Sequence, residues 1–329
     1  MKSLATCTTY LLAAVLLATT LITIPATARA ETFITVDVPG ASSTTLNGIN
    51  DLGDSTGSFV VGSSTFAFTR STAGVISAYS ILDSTATYAN GIDNLGRVVG
   101  SYFDGAATGA YIREADGSFA TFFVPGSTST FGNGISSDGS IAGTYSLSTG
   151  LDFHSFIRAA DGTFTTFDVP GAVWTFAQGV NASGQVVGSY FDGFSFHGYL
   201  RDPDGTIQTL DAPGSLASFI NGINITGDVI GSGLIGYFNS SGPTLISSGL
   251  LGGPTGMLVG FNVPGADTST GQGINGGGLI VGSYTAGGIT HGFITVVPEP
   301  GTFVLCGTAI IALIATRAVA LGGKVVEGD

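Results

Sequence analysis

The chain of 329 residues holds only two cysteines and one tryptophan, and just 9% of it is charged. Cys7 and Cys306 both stand in apolar terminal segments, so the body has no disulfide, no cysteine-ligated zinc and no thiol nucleophile. Lysine occurs only at Lys2 and Lys324. Between Glu31 and Val297, five arginines (Arg70, Arg97, Arg113, Arg158 and Arg201) face nineteen acidic residues, which excludes nucleic acid as an expected partner, because backbone binding needs clustered cations. Gly276-Gly277-Gly278 has no Lys or helix start behind it, so no phosphate-cradling loop is present and no cofactor is expected. What the chain does have is glycine, 53 in all, with abundant β-branched and aromatic residues. That mixture predicts many short strands joined by tight turns.

The body is a repeat. A block reading Asn/Gln-Gly-Ile/Val, then a turn, then an apolar pair and Gly-Ser-Tyr recurs with its first glycine at Gly48, Gly91, Gly134, Gly179, Gly222 and Gly273. In the fourth copy, residues 175–211 contain four aromatic and β-branched runs bounded by Gly, Asp, Asn or Pro, the pattern of a four-stranded meander. Asn50-x-x-Gly53 and its counterparts at Asp93, Ser136, Asn181, Asn224 and Asn275 form the first turn, with the polar residue capping and the glycine taking positive φ. Asp116-Gly117, Asp161-Gly162 and Asp204-Gly205 turn between the third and fourth strands. A hairpin also accounts for Asp202-Pro203-Asp204-Gly205 better than a calcium loop does.

Six such units predict an all-β, six-bladed β-propeller of four-stranded antiparallel blades, with an open β-solenoid as the alternative. The last copy supplies three strands, whereas residues 33–40 read as an unpartnered fourth strand matching residues 164–171. The N-terminal strand is therefore expected to complete the last blade and latch the ring.

Both ends carry addressing signals. Lys2, the apolar residues 10–24, Pro25 and Ala28-Arg29-Ala30 have the layout of a secretory signal peptide over residues 1–30, cleaved by signal peptidase after Ala30. The propeller domain then occupies residues 31–297, and residues 298–329 form a C-terminal tail. The tail opens with Pro298-Glu299-Pro300, continues as a nearly uncharged stretch to Thr316 and meets Arg317. As a helix this stretch is short for a roughly 30 Å hydrocarbon core. The tail resembles the PEP-CTERM sorting signal of Gram-negative bacteria. That resemblance implies transient inner-membrane anchoring, processing by an exosortase, and a place in the periplasm, on the outer surface or in the extracellular matrix.

His154-Ser155-Phe156, His197-Gly198-Tyr199 and His291-Gly292-Phe293, together with the Gly-Ile-Asn and Val-Gly-Ser-Tyr blocks, resemble the HAF repeats of extracellular proteins. Copies one and two carry Phe66 and Gly109 where His would stand. Because each His occupies one place in a different repeat, symmetry spreads them around the ring, so they read as structural and not as metal ligands. Most Asp residues fall in repeated turns or beside Val-Pro-Gly, where a turn role explains them.

The amides preceding the first glycines do the opposite: Asn47, Asn90, Asn133, Gln178, Asn221 and Gln272 lie on the innermost strands and converge on the axis. Six carboxamides there would suit a neutral polar ligand such as a sugar; alternatively, each satisfies a neighbouring backbone group. No catalytic or metal residue is assigned. The expected function is an exported surface- or matrix-associated repeat protein, a non-enzymatic binding or structural module linked to the extracellular polysaccharide or envelope, the polysaccharide being the partner implied by the PEP-CTERM resemblance. The alternative is a secreted carbohydrate-active hydrolase or lyase using Asp54, Asp152 or Asp228 and the irregular fifth repeat, residues 232–260.

Overall fold

The computed structural model describes residues 32–148, 152–239, 242–253 and 258–296. The expected signal peptide, with Ala28 and Ala30, and the tail bearing Pro298, Glu299 and Pro300 lie outside the described residues. Every regular element among the described residues is a β-strand, and no helix there is long and apolar enough to cross a membrane. The strands form five sheets, four of four strands and one of eight. The eight-stranded sheet is two successive four-stranded meanders joined at a single parallel pairing, Thr65 with Ala86. The architecture is thus all-β and propeller-like.

Each repeat begins with an inner strand: Ser43–Ile49, Ala86–Ile92, Ser129–Ile135, Trp174–Val180, Ala217–Ile223 and Thr268–Ile274. Their pairing with the second strands slips by one residue at the same place each time, between Leu46 and Gly48 in the first repeat and between Ala177 and Gly179 in the fourth. The slipped residue is the Asn or Gln of the repeat block. A β-bulge leaves its residue unpaired and bends the strand, and here the bend swings the carbonyl two residues earlier over the second strand. The glycine of Val-Gly-Ser-Tyr lies beneath that carbonyl: a methyl at Gly188 would overlap the oxygen of Phe176 and press on the ring of Tyr199. The two sequence blocks are therefore one device, a bulge and the bare backbone that receives it.

The turns follow their sequences. Asn50 Oδ1 accepts the N–H groups of Leu52 and Asp54 while Gly53 sits at φ 84°. The Val-Pro-Gly connectors between repeats close through short turns such as Ala41 N–H to Val38 O at 3.1 Å. Between the first two repeats Leu82-Asp83 replaces Pro-Gly, and Asp83 takes the positive φ of 62°, which Asp tolerates better than bulkier residues. Beneath each connector a buried hydroxyl accepts a backbone N–H, as Thr44 does from Val38 at 3.0 Å and Ser218 does from Ala212 at 3.0 Å. These hydroxyls are buried but satisfied, so they specify the connector at little desolvation cost.

The core lies between neighbouring meanders. Each third strand drives an aromatic or aliphatic residue inward, and Phe68, Tyr111, Phe156, Tyr199 and Phe293 are all fully buried. One cluster joins Val36 of the N-terminal strand, Leu46, Ile49, Phe59 and Phe68 of the first repeat, and Val281 of the last. The strand Thr32–Val36 occupies the outer place beside Ile289–Val296, in the order outer, third, second, inner. The fifth repeat, irregular in sequence, keeps the meander and lengthens its second and third strands, Val229–Asn239 and Gly242–Gly252, to eleven residues each.

Two outcomes follow from this packing. Deleting residues 31–40 removes Val36 and the outer strand of the last sheet, and is expected to lower the melting temperature by about 10 °C or more; an unchanged melt refutes the latch. Gly188→Ala should cost about 2–4 kcal/mol in denaturant unfolding, whereas Gly260→Ala, whose Cβ would meet only the carbonyl oxygen of Gly249 at an ordinary 3.9 Å, should be nearly neutral.

Candidate functional site

The inner strands approach one another around an axis through their first glycines. A Cβ on Gly134 would lie 2.7 Å from Gln178 O and 2.9 Å from the Cα of Gly179, and one on Gly273 would lie 3.2 Å from both Asn47 O and the Cα of Gly48. The last inner strand thus meets the first as closely as the others meet each other. The bulge beside each glycine turns its amide toward this axis, and all six sequence-identified residues, Asn47, Asn90, Asn133, Gln178, Asn221 and Gln272, line one cavity of about 70 Å³. Four of them bridge to the next repeat: Nδ2 of Asn47, Asn90, Asn133 and Asn221 donates to the carbonyls of Ala89, Gly132, Ala177 and Gly271, each at 2.8 Å. Gln178 and Gln272, one methylene longer, make no such bond. A cavity of this size holds a few waters and lies well below the roughly 300 Å³ of a small-molecule site.

A second ring of ties lies three residues on, and the sequence showed these residues only as turn caps. Nδ2 of Asn50, Asn181, Asn224 and Asn275 donates to the backbone carbonyls of Asp93, Asn224, Asn275 and Asn50 at 2.9–3.1 Å. The last of these runs from the sixth repeat to the first. Each amide is buried, and each serves its own turn through Oδ1 and its neighbour through Nδ2. Asp93, in the same place, has no amide Nδ2; its carboxylate instead holds Arg97, with Nε at 2.7 Å and an Nη at 2.6 Å.

The histidines stand apart from the axis, each in its own sheet. Nδ1 of His154, His197 and His291 donates to the carboxylates of Asp168, Asp211 and Asp37 at 2.8, 2.7 and 2.9 Å. Tyr145, Tyr190 and Tyr284, directly across the strand pair, lie against the imidazoles with centroids 5.1–5.4 Å apart. The aspartates, expected only as turn residues, therefore fasten the end of the outer strand to the third strand. The pairing holds repeat by repeat: where His is replaced by Phe66, Gly109 or Ser248, the facing position is Ser80, Phe123 or Asn262. In the last sheet the tie runs to Asp37, beyond the N-terminal strand. His197 also has Asp192 Oδ2 at 3.4 Å from Nε2.

The carboxylates considered for hydrolysis are engaged within their own repeats. Asp54 accepts from Thr72 N–H, and Asp228 from Thr226 Oγ1. Asp152 accepts from Ser146 and Ser148, and the Ser146 hydroxyl above all lowers its pKa to about 2. Such a group stays ionised near neutrality and is unsuited to proton donation. Among the described residues no group of three or more His, Cys, Asp or Glu is placed to hold a metal ion.

Two carboxylates bracket His197, and its pKa is raised, first by the hydrogen bond to Asp211, against a smaller opposing effect of desolvation. A group whose pKa rises on folding stabilises the fold below its ordinary value, here 6.5, and loses that contribution as the pH climbs through the folded value. The melting temperature should therefore fall as pH is raised from about 6 to 8, and His197→Gln should flatten that slope. Equal slopes in thermal melts of the two proteins would count against the tie.

No family model matches the chain, and no curated protein matches it. Among solved structures it is similar to TolB from Acinetobacter baumannii, with 13% identity and a TM-score of 0.51 over 78% of this chain and 64% of that one. It is similar also to XC5397, a gluconolactonase from Xanthomonas campestris, with 12% identity and a TM-score of 0.50 over 82% and 90% of the two chains. Virginiamycin B lyase from Staphylococcus aureus aligns over 81% of this chain and 100% of its own at 13% identity, with a TM-score of 0.47. Likeness at these identities concerns the fold alone, and it is to propeller-like proteins.

Proposed function

We propose that the chain is a six-bladed propeller, closed by its N-terminal strand, that acts outside the cytoplasm as a non-enzymatic surface or matrix module bound to extracellular polysaccharide. The blade number is supported by the closed succession of inner strands, in which the sixth bonds to the first through Asn275 Nδ2 to Asn50 O. The observation that carries the functional reading is the use of the repeated polar groups: axial amides, turn asparagines and third-strand histidines predominantly tie strand to strand or repeat to repeat. Such a ring suits a durable platform without cysteine. The address is supported by the signal-peptide layout of residues 1–30, which gives cleavage after Ala30, and by the PEP-CTERM resemblance, which implies exosortase processing at the Pro298-Glu299-Pro300 tail.

Two measurements test this together. Intact mass of the protein recovered from the cell surface should start at Glu31; retention of the first thirty residues refutes export by a cleaved signal. Incubation with extracellular polysaccharide should give saturable binding without new reducing or unsaturated ends; turnover would establish the enzymatic alternative, and neither binding nor turnover would leave a purely structural module.

A further inference from the structure

The repeats differ most instructively at the outer end of their second strands. In the fourth repeat the residues paired with Phe191 are Trp174 and Phe196, and both rings pack on Phe191 with centroids 5.0 Å away. Phe219, on the next inner strand, closes on Phe196 at 5.1 Å. In the second repeat the residues paired with Phe103 are Ala86 and Thr108, and Phe131 stands in the place of Phe219. Two large rings are thus absent, and a cavity of about 430 Å³ opens, with Tyr88, Asn90, Ser101, Phe103, Thr108 and Phe131 in its lining. This volume falls within the range of small-molecule sites.

The lining is prepared for a ligand with one apolar face and several hydroxyls. Tyr88 and Phe103 are 42% and 38% exposed, and neither they nor Phe131 stack on another ring, leaving flat apolar surfaces free. Ser101 is only 3% exposed, yet its Oγ has no hydrogen-bond partner. Its counterparts Ser58 and Ser189 accept the backbone N–H groups of Ala89 and Ile220. Ser55, Ser155 and Tyr199 also bury a hydroxyl without a partner, but of these four only Ser101 lines this cavity, where a bound group could satisfy it. Asn90 spends Nδ2 on Gly132 O and keeps Oδ1 as an acceptor, while the hydroxyls of Tyr88 and Thr108 are free to donate and accept. No charged side chain lines the cavity.

We infer that this cavity between the second and third repeats binds one neutral pyranose unit of a polysaccharide, its C–H face stacked on the aromatic rings and its hydroxyls bonded to Ser101, Thr108 and Asn90. A flat heteroaromatic ligand would fit the rings but leave the set of donor-and-acceptor hydroxyls underused, whereas vicinal diols match it. The inference rests on the polysaccharide-binding reading above and names its site.

The test is to fill the cavity as the fourth repeat already does. Ala86→Trp with Thr108→Phe should keep or raise the melting temperature and weaken binding of neutral gluco-, galacto- and manno-oligosaccharides, followed by calorimetry and saturation-transfer NMR, by about tenfold or more. Ser101→Ala should weaken it by roughly threefold to tenfold. Should the double variant fail to fold, Tyr88→Ala, which removes a half-exposed ring packed on no other, is expected to show the same loss. Unchanged binding in the filled or Tyr88 variants overturns this site while leaving the polysaccharide reading intact. Absence of binding by the unaltered protein to every neutral oligosaccharide also overturns it; retention on the whole extracellular polysaccharide then decides the broader reading separately.

Discussion

The structure depends on the closeness of six inner strands around one axis. Backbone meets backbone there at contacts near 3 Å, as with Gly134 against Gln178 and Gly179, and a side chain at any of these glycines would push the ring apart. The bulge beside each glycine follows from the same crowding. It removes one residue from the strand pairing, aims its amide at the next repeat and places a carbonyl over the second-strand glycine. Amide ties, bare second strands and a narrow axial channel are consequences of one packing constraint.

Polar groups then do the work that disulfides do in other small-stranded β proteins. The asparagines at positions 50, 181, 224 and 275 are buried, and each completes both its own turn and a bond to the following repeat. A buried amide so satisfied stabilises modestly but is costly to leave unpaired, which favours one register over its alternatives. The His–Asp ties add a second level, inside three of the five sheets. Their placement in the last sheet, where His291 reaches Asp37, joins the beginning of the folded body to its end.

Departures from the repeat carry more information than the repeat. Gly109 removes a histidine, and a Cβ there would collide with the ring of Tyr102, so the tyrosine settles over the strand it would otherwise face across an imidazole. Ala86 and Thr108 remove the packing that fills the fourth repeat and leave a cavity. The fifth repeat spends its irregular residues on a longer hairpin and loses the His–Asp tie.

Much of the fold was legible in the amino-acid sequence. Turn chemistry is local, so Asn50-x-x-Gly53 and Asp161-Gly162 announce their turns, and the spacing of Gly48, Gly91 and Gly134 counts the units. The unpartnered strand at residues 33–40 could be matched to its place because its pattern repeats that of residues 164–171. Convergence of the six amides on an axis also follows from repetition. Three other matters were decided only by the tertiary structure. Whether an axial amide faces a ligand or a carbonyl depends on distances across repeats, between residues 42 to 50 apart in the chain, which Asn satisfies and Gln does not. The partners of the histidines lie fourteen residues away in two sheets and 254 residues away in the third, so a turn role hid them. The cavity beside Phe103 arises from side-chain volumes missing on neighbouring strands, a property of the packed ring that no single segment of the chain expresses.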